Sequence, residues 1–213
     1  MEILNNTTPL FKIRASALGQ LMTEPRGKKE KEDGELSATA KSYLTLWYKE
    51  QLYNRRKPIE SKYMTKGNEC EDEAIKYLHK SWKNNKEQFE NDYMTGEPDV
   101  ITKGEIIDIK NSWDFTTFPL FSKECPSKEY IWQVLGYMWL CDKPKGRVIY
   151  TLMDTPDHLI PQGDDPAIYK YNGLARHLRV KEFKVAYDEE KIEQIIAKVK
   201  KAREFINMIS ISL

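Results

Sequence analysis

Polar and apolar residues alternate between positions 99 and 110, as expected for a half-buried β-hairpin. The pattern predicts strands at Asp99–Thr102 and Glu105–Lys110, joined by Lys103-Gly104. A two-residue loop that ends in Gly suits a tight turn, since Gly accepts the positive φ that such turns require. Counting outward from this loop places Asp99 opposite Asp108.

Asp99 and Asp108 then share one face of the hairpin, with their Cβ atoms about 4.5–5.5 Å apart. Lys110 points to the same face. The opposite face carries apolar side chains, which are expected to enter a core: Val100, Ile107 and Ile109. Two facing carboxylates weaken a hairpin. A Mg²⁺ ion between them would compensate, because Mg²⁺ takes hard oxygen ligands. A solvent-facing hairpin with a Lys–Asp ion pair is the alternative.

Helical spacing of apolar residues predicts helices at Ser37–Asn54 and from about Thr65 to Lys83. The apolar stripe of the second helix consists of Ala74, Ile75, Leu78 and Trp82. Glu71 lies one turn before this stripe and on the same face, where an unpaired carboxylate is unfavourable. Either this end of the helix lies at an open cleft, or Glu71 binds a cation there.

The most apolar run of the chain, Tyr130–Cys141, predicts a buried helix. Gln133 is the strongly polar side chain in this run, and Tyr137 lies one turn later on the same face. A buried amide needs hydrogen-bond partners. Gln133 is therefore either a satisfied core residue or a residue that presents its amide to a site.

The N-terminal part of the chain combines a short predicted helix with charged segments. The helix spans Ile13–Met22, with Ser16, a favourable N-cap residue, near its start. Thr23–Leu36 is expected to be a charged loop, and Arg55-Arg56-Lys57-Pro58 forms a basic segment after the following helix. Charge runs of this kind are usually solvated surface. The basic segment also suits contact with phosphate.

Further strands are predicted at Gln88–Tyr93, Lys145–Leu152 and Val180–Tyr187, followed by a closing helix from Asp188 to about Ile209. The order α, α, β-hairpin, α, β, β, α predicts an α/β (α+β mixed) fold, with a central mixed β-sheet flanked by helices. A chain of 213 residues is long enough for one domain with a sizeable core. Residues 1–213 are therefore expected to form a single domain.

Composition and charge narrow the class of protein. The chain is 40% hydrophobic and 31% charged with a net charge of +1, so any nucleic-acid contact must be a local patch. Its three cysteines, Cys70, Cys125 and Cys141, contain no CxxC pair, which excludes a disulfide framework or a four-cysteine metal site within one chain. There is no signal-peptide pattern at the start and no apolar run long enough to span a bilayer. A cytoplasmic protein without membrane contact is expected.

The hairpin residues Pro98-Asp99 and Asp108-Ile109-Lys110 are similar to the signature of the PD-(D/E)xK nucleases. The preceding segment, Gly67–Ala74, resembles the Gly-xxx-Glu-xx-Ala helix of the phage lambda exonuclease and YqaJ-type viral recombinase family. The acid of that motif corresponds to Glu71, the residue that the helical stripe had already indicated.

Two later segments extend the resemblance. Gln133–Tyr137 resembles the Gln-xxx-Tyr helix of the RecB-like branch, and Asn111–Phe118 resembles the aromatic segment that follows the lysine in lambda exonuclease. Arg14-Ala15-Ser16 is loosely similar to the N-terminal phosphate-contacting segment of that family. Asp108 stands where lambda-type enzymes usually carry Glu, a change that the signature permits. Three cysteines leave no complete iron–sulfur cluster of the kind that some RecB-like relatives carry.

The resemblance implies a restriction-endonuclease-like core and Mg²⁺-dependent hydrolysis of DNA phosphodiester bonds, with Mn²⁺ as a substitute. Asp99, Asp108, Glu71 and the Ile109 carbonyl are implied as metal ligands. Lys110 completes the catalytic set with the three acids. The resemblance further implies that site support or DNA binding comes from Gln133, Tyr137, Ser16 and Arg14.

The expected activity is 5′→3′ degradation of linear double-stranded DNA in phage-type recombination or repair. Family likeness also implies a homo-oligomer in the form of a trimeric ring, and a single-strand annealing protein as partner, in a bacterial cell or phage-infected host. An endonuclease or single-strand nuclease on the same core is the alternative within the enzymes. A DNA-binding protein that has lost activity is the alternative outside them.

Overall fold

The computed structural model of the protein describes residues 9–56, 58 and 61–211. Its strands are β1 (Ile13–Arg14), β2 (Phe89–Glu90), β3 (Met94–Gly96), β4 (Val100–Ile101), β5 (Glu105–Asn111), β6 (Lys145–Thr151) and β7 (Val180–Ala186). Its α-helices are α1 (Leu18–Leu21), α2 (Lys28–Glu32), α3 (Ala38–Tyr53), α4 (Lys62–Leu78), α5 (Lys128–Leu140) and α6 (Glu189–Ile211). Short 3₁₀ helices cover Ala15–Ala17, Asp157–Leu159, Pro166–Tyr169 and Arg176–Leu178.

The main sheet has the strand order β4-β5-β6-β7 and is mixed. The outer pairs β4–β5 and β6–β7 are antiparallel, whereas the central pair β5–β6 is parallel. A parallel pair needs a crossover connection, which α5 supplies between the two strands. The predicted mixed α/β fold with helices around a central sheet is confirmed. A second sheet has the order β1-β3-β2. Its strand β2 lies within the predicted strand Gln88–Tyr93, whereas β1 and β3 were not predicted, because they are too short to show an alternating pattern.

The hairpin register agrees with the prediction. Val100 pairs with Ile107, and the Thr102 N–H donates to the Glu105 carbonyl at 3.0 Å, so the loop is the predicted pair of residues. Strand β4 is shorter than predicted, and Asp99 lies just before it. Continuing the register by one residue places Asp99 opposite Asp108.

The two faces of the main sheet enter different hydrophobic clusters, since successive side chains of a strand alternate between faces. Val100, Ile107 and Ile109 pack with the apolar stripe of α4. Ile106 enters the larger cluster, which contains the apolar side chains of α5 and α6. The face that carries Asp108 is therefore the face covered by α5. No helix in the described part of the chain is long and apolar enough to cross a membrane.

The predicted helix at 37–54 is confirmed, with the Ser37 side chain accepting from the Ala40 N–H at the start of α3. Leu52, near the end of α3, is exposed. The prediction for the next helix was wrong at its end: α4 stops at Leu78, and His79 is extended. Trp82 still packs against the apolar side chains of α4, but it does so from the segment that follows the helix. This segment hydrogen-bonds to the hairpin, and these contacts prevail over the helical periodicity of the sequence.

The N-terminal prediction was wrong in its secondary structure. Instead of one helix, the chain forms β1, a 3₁₀ turn and the single helical turn α1. Ile13 pairs with Met94 of β3, and this long-range pairing prevails over the local preference for helix. Ser16 lies inside the 3₁₀ turn and does not cap a helix. The predicted loop at 23–36 contains α2, and Lys57 of the predicted basic segment lies outside the described residues.

A completely buried lysine fixes α4 to the end of β5, and the sequence pattern did not indicate it. The Lys66 ammonium donates hydrogen bonds of 2.8 Å to the carbonyls of Ser112 and Trp113. The Asn111 side chain adds a 3.3 Å bond to the Gly67 carbonyl. These three bonds set the position of α4 relative to the strand that carries the predicted catalytic motif.

Replacing Lys66 by Met tests this link. Met is similar in length but donates no hydrogen bond, so the Ser112 carbonyl loses its partner, while Trp113 keeps one from the Thr155 hydroxyl. An interior acceptor without a partner costs about 1–3 kcal/mol, and we expect the free energy of unfolding to fall by that amount. Urea denaturation at pH 7 measures it. An unchanged free energy of unfolding would show that Lys66 does not hold the two elements together.

The contribution of Lys66 should also depend on pH. Burial lowers the pKa of Lys66 from 10.5 to about 8. Between these two values the unfolded chain binds a proton that the folded chain has released, so the wild type gains stability as the pH rises. The Lys66→Met variant lacks this titration. We expect the difference in free energy of unfolding between wild type and variant to widen from pH 8 to pH 10, and a constant or shrinking difference would contradict the shifted pKa.

Candidate active site

Two acidic side chains meet where the hairpin opens. The Ile109 N–H donates to Asp99 Oδ2 at 2.6 Å, which fixes the Asp99 carboxylate against β5. Asp108, the residue before Ile109, is completely buried. Asp99 is half-buried and reaches the surface of two adjoining clefts. The pair therefore lies at an edge of the sheet that is open to solvent on one side.

Burial dominates the electrostatics of this pair. Burial and the facing Asp108 carboxylate raise the pKa of Asp99. Burial raises the pKa of Asp108 as well, against the opposing charge of Lys110. The negative charge of Glu71 raises both pKa values further. The three acids are therefore near enough to repel one another, and positive charge beside Asp99 and Asp108 favours their ionised forms.

Lys110 supplies part of that positive charge. Its Nζ lies 2.9 Å from Asp108 Oδ2 and 4.5 Å from the centre of the Tyr130 ring. Burial acts to lower the pKa of Lys110, but the carboxylates of Asp108 and Asp99 outweigh it and raise the pKa. Lys110 is accordingly an ammonium group that is fixed in direction by its neighbours.

A chain of polar contacts runs from Lys110 to α5. Lys110 Nζ donates to Gln133 Oε1 at 3.3 Å, and Gln133 Nε2 donates to the Tyr137 hydroxyl at 3.0 Å. Gln133 and Tyr137 are both buried. The two sequence alternatives for Gln133 are thus combined: its amide is satisfied in the core, and one of its partners is a residue of the site.

Glu71 projects from α4 toward the same edge. Its side chain is 26% exposed, and its Oε1 accepts hydrogen bonds from Asn84 Nδ2 at 2.6 Å and from Lys86 Nζ at 3.5 Å. Within the described ranges, no three His, Cys, Asp or Glu side chains converge closely enough to hold a metal ion. The predicted acids are neighbours, but Glu71 does not join the other two in a closed cage.

The oxygen atoms of the Asp99–Asp108 pair fit a small divalent cation. Lys110 Nζ donates to Asp108 Oδ1 at 3.1 Å, and among the described residues the buried Asp108 Oδ2 has only the 2.9 Å ion pair with the same ammonium. The N–H and C=O of one strand residue point to the same side, so the Ile109 carbonyl faces the same edge as its N–H. Carboxylate and carbonyl oxygens in this arrangement are the ligand type that Mg²⁺ prefers.

Two clefts meet at Glu71 and Asp99, and they differ in character. One has a volume of about 550 Å³ and is lined by polar and cationic side chains, among them Arg14, Ser16, Arg56 and Lys86. The other has a volume of about 420 Å³ and is lined by Ile109, Lys110 and the aromatic side chains Tyr63, Trp113, Tyr130 and Tyr150. We name them the cationic cleft and the aromatic cleft.

All of the predicted site residues lie at or next to these clefts. Tyr137 lines the cationic cleft together with Arg14 and Ser16. Sequence reasoning missed Asn68, Asn84 and Lys86. Asn68 lies one turn before Glu71, so helical spacing could have found it. Asn84 and Lys86 gave no usable signal, because they follow a helix whose end was predicted too late.

The fold has known counterparts among solved structures. The chain is similar to a phage-related exonuclease from Haemophilus somnus 129PT, with a TM-score of 0.88 and 32% identity over 98% of this chain and 99% of that chain. It also shares its fold with an alkaline exonuclease (LHK-Exo) from Laribacter hongkongensis, with a TM-score of 0.67 and 16% identity over 93% and 89% of the two chains. A complex of LHK-Exo with dAMP matches equally well.

Neither the protein-family models nor the curated proteins give a match. The structural match is nevertheless sufficient to assign a family, because it combines 32% identity with nearly full coverage of both chains. Together with the motifs at Glu71, Asp99, Asp108 and Lys110, it shows that this chain belongs to the family of phage-related, lambda-type exonucleases within the PD-(D/E)xK nucleases.

Proposed function

We propose that the protein is a Mg²⁺-dependent deoxyribonuclease that degrades linear double-stranded DNA from its 5′ ends, in phage-type recombination or repair. The observation that carries the proposal is the pair of acids at the hairpin, the half-buried Asp99 and the completely buried Asp108, whose carboxylates are held side by side next to the Lys110 ammonium. A structural ion pair with Lys110 would need one acid, whereas a second acid beside it adds repulsion that a bound divalent cation would relieve.

Asp99, Asp108, Glu71 and the Ile109 carbonyl would hold the Mg²⁺ ion, with Mn²⁺ as a substitute. When bound, the ion supplies a water of lowered pKa and positive charge for the scissile phosphate. Lys110 donates to a phosphate oxygen or orients the attacking water. Gln133 and Tyr137 hold Lys110 in that direction through their hydrogen bonds.

The two clefts suit two parts of a DNA strand. In the cationic cleft, the guanidinium groups of Arg14 and Arg56 and the Lys86 ammonium suit phosphate groups. In the aromatic cleft, side chains such as Tyr63 suit unstacked bases. The phosphate to be cleaved then lies between the clefts, next to the two aspartates.

Arg14 and Ser16 are proposed to bind the terminal phosphate. Both are exposed and line the cationic cleft. The sequence-based argument that Ser16 uses the positive end of a helix does not apply, since Ser16 lies in a 3₁₀ turn before a single helical turn. The contact instead depends on the Arg14 guanidinium and the Ser16 hydroxyl themselves.

The names of the related structures support the proposal. The relative from Haemophilus somnus is described as a phage-related exonuclease, and the Laribacter enzyme is an alkaline exonuclease that has been crystallised with dAMP. A nucleoside monophosphate is the product expected from exonucleolytic cleavage. A trimeric ring, a single-strand annealing partner and a cytoplasmic location stay predictions from the sequence.

The acid pair is tested by Asp108→Asn. We expect the wild type with Mg²⁺ to degrade end-labelled linear duplex DNA and to leave closed circles intact. The variant keeps the size of the side chain but removes its charge, so we expect the rate to fall by roughly a hundredfold or more, as for loss of a group that stabilises charge in the transition state. Glu193→Gln, on the exposed surface of α6, is the matched control and should retain the wild-type rate.

Several outcomes would overturn the proposal. Cleavage of closed circles would indicate an endonuclease, and preference for single strands would indicate a single-strand nuclease. DNA binding without cleavage under either Mg²⁺ or Mn²⁺ would indicate a DNA-binding protein. Full activity of Asp108→Asn, or of the wild type in EDTA, would refute the proposed site.

Arg14→Ala tests the recognition of the 5′ end. An arginine that binds a terminal phosphate contributes a charge-assisted, often bidentate contact, so its loss should slow degradation of 5′-phosphorylated duplex by roughly tenfold. On duplex with a 5′-hydroxyl end, the Arg14→Ala variant and the wild type should have the same rate of degradation. Arg26→Ala, exposed and outside both clefts, is the control. An equal loss on both kinds of end would show that Arg14 does not read the terminal phosphate.

A further inference from the structure

The segment directly after α4 contacts both halves of the acidic site. The Asn85 N–H donates to the Asp99 carbonyl at 2.8 Å. Asn84 Nδ2 donates to Glu71 Oε1 at 2.6 Å and to Asp72 Oδ1 at 2.7 Å. Two adjacent residues thus connect the acid on α4 with the backbone of the acid on the hairpin.

The hydrogen bonds of Asn84 fix the orientation of its amide. The amide nitrogen carries two hydrogens, one for each carboxylate, and both are used. The reverse orientation would place the amide oxygen against two negative charges. Asn84 Oδ1 itself is buried and accepts no hydrogen bond from any described residue. Asn84 is therefore held at this position by the carboxylates and not by any bond to its oxygen.

These hydrogen bonds restrict the orientation of the Glu71 carboxylate but occupy only one of its two oxygens. Asn84 and Lys86 both bind Oε1, and no residue in the described part of the chain donates a hydrogen bond to Oε2. A carboxylate on a helix otherwise has several rotamers, and only some of them bring it toward Asp99. Carboxylates that bind metals are commonly held by hydrogen bonds from residues that do not touch the metal.

We propose that Asn84 is a positioning residue, which holds the Glu71 carboxylate at the sheet edge beside Asp99, so that Glu71 adds a ligand to a divalent cation bound by Asp99 and Asp108. The inference rests on the proposed function, because it concerns the same metal site. It assigns a role to a residue outside the nuclease motifs. It also explains why the segment after α4 leaves the helix early, since a longer helix would carry Asn84 away from Glu71.

The test measures Mg²⁺ binding and catalysis separately. Titration calorimetry without DNA gives the Mg²⁺ affinity of the wild type, of Asn84→Ala and of the control Lys83→Ala, an exposed neighbour. We expect Asn84→Ala to bind Mg²⁺ about 10- to 100-fold more weakly, as for loss of a hydrogen bond to a ligating carboxylate. Lys83→Ala should bind as the wild type does. Saturating Mg²⁺ should restore the kcat of Asn84→Ala.

The results for the wild type and for Asn84→Ala distinguish failure of the proposed function from failure of this inference. A wild type that binds no Mg²⁺ would overturn both the proposed function and this inference. Wild-type Mg²⁺ affinity in Asn84→Ala would overturn the inference alone, and so would a fall in kcat that saturating Mg²⁺ does not restore. Should Asn84→Ala not fold, Asn84→Ser replaces it. A hydroxyl is shorter and has one hydrogen where the amide nitrogen has two, so the same loss of affinity is expected.

Discussion

The structure depends on holding two carboxylates next to each other, those of the half-buried Asp99 and the completely buried Asp108, where water screens their charges poorly. Three features make this possible: the hairpin register, the hydrogen bond from the Ile109 N–H, and the Lys110 ammonium. None of them removes the repulsion, and burial still raises the pKa of both acids. In the proposed function, this residual repulsion is what a divalent cation relieves.

The two helices that complete the site pack on opposite faces of the same strand. Helix α5 covers the face of Asp108 and directs Lys110 through Gln133 and Tyr137, whereas α4 covers the other face and brings Glu71 to the sheet edge. The position of Glu71 relative to Asp99 and Asp108 is thus set by how α4 packs on the sheet. Lys66 fixes one end of that helix, and the segment that begins at Asn84 fixes the other.

Sequence reasoning succeeded where the determinants were local. A two-residue turn sets the hairpin register, and Gln133 and Tyr137 are one helical turn apart. It failed where partners are distant in sequence: Lys66 binds carbonyls 46 and 47 residues away, and β1 pairs with a strand near position 94. No periodic pattern reports such contacts, so the buried lysine, the small second sheet and the role of Asn84 required the structure.

The central claim is that the Asp99–Asp108 pair binds a divalent metal ion. The most direct test is anomalous diffraction from crystals soaked in Mn²⁺, because the signal locates the ion without reference to activity. The account predicts an anomalous peak in contact with carboxylate oxygens of both Asp99 and Asp108. Occupied Mn²⁺ sites elsewhere, with no peak between these two side chains, would contradict it.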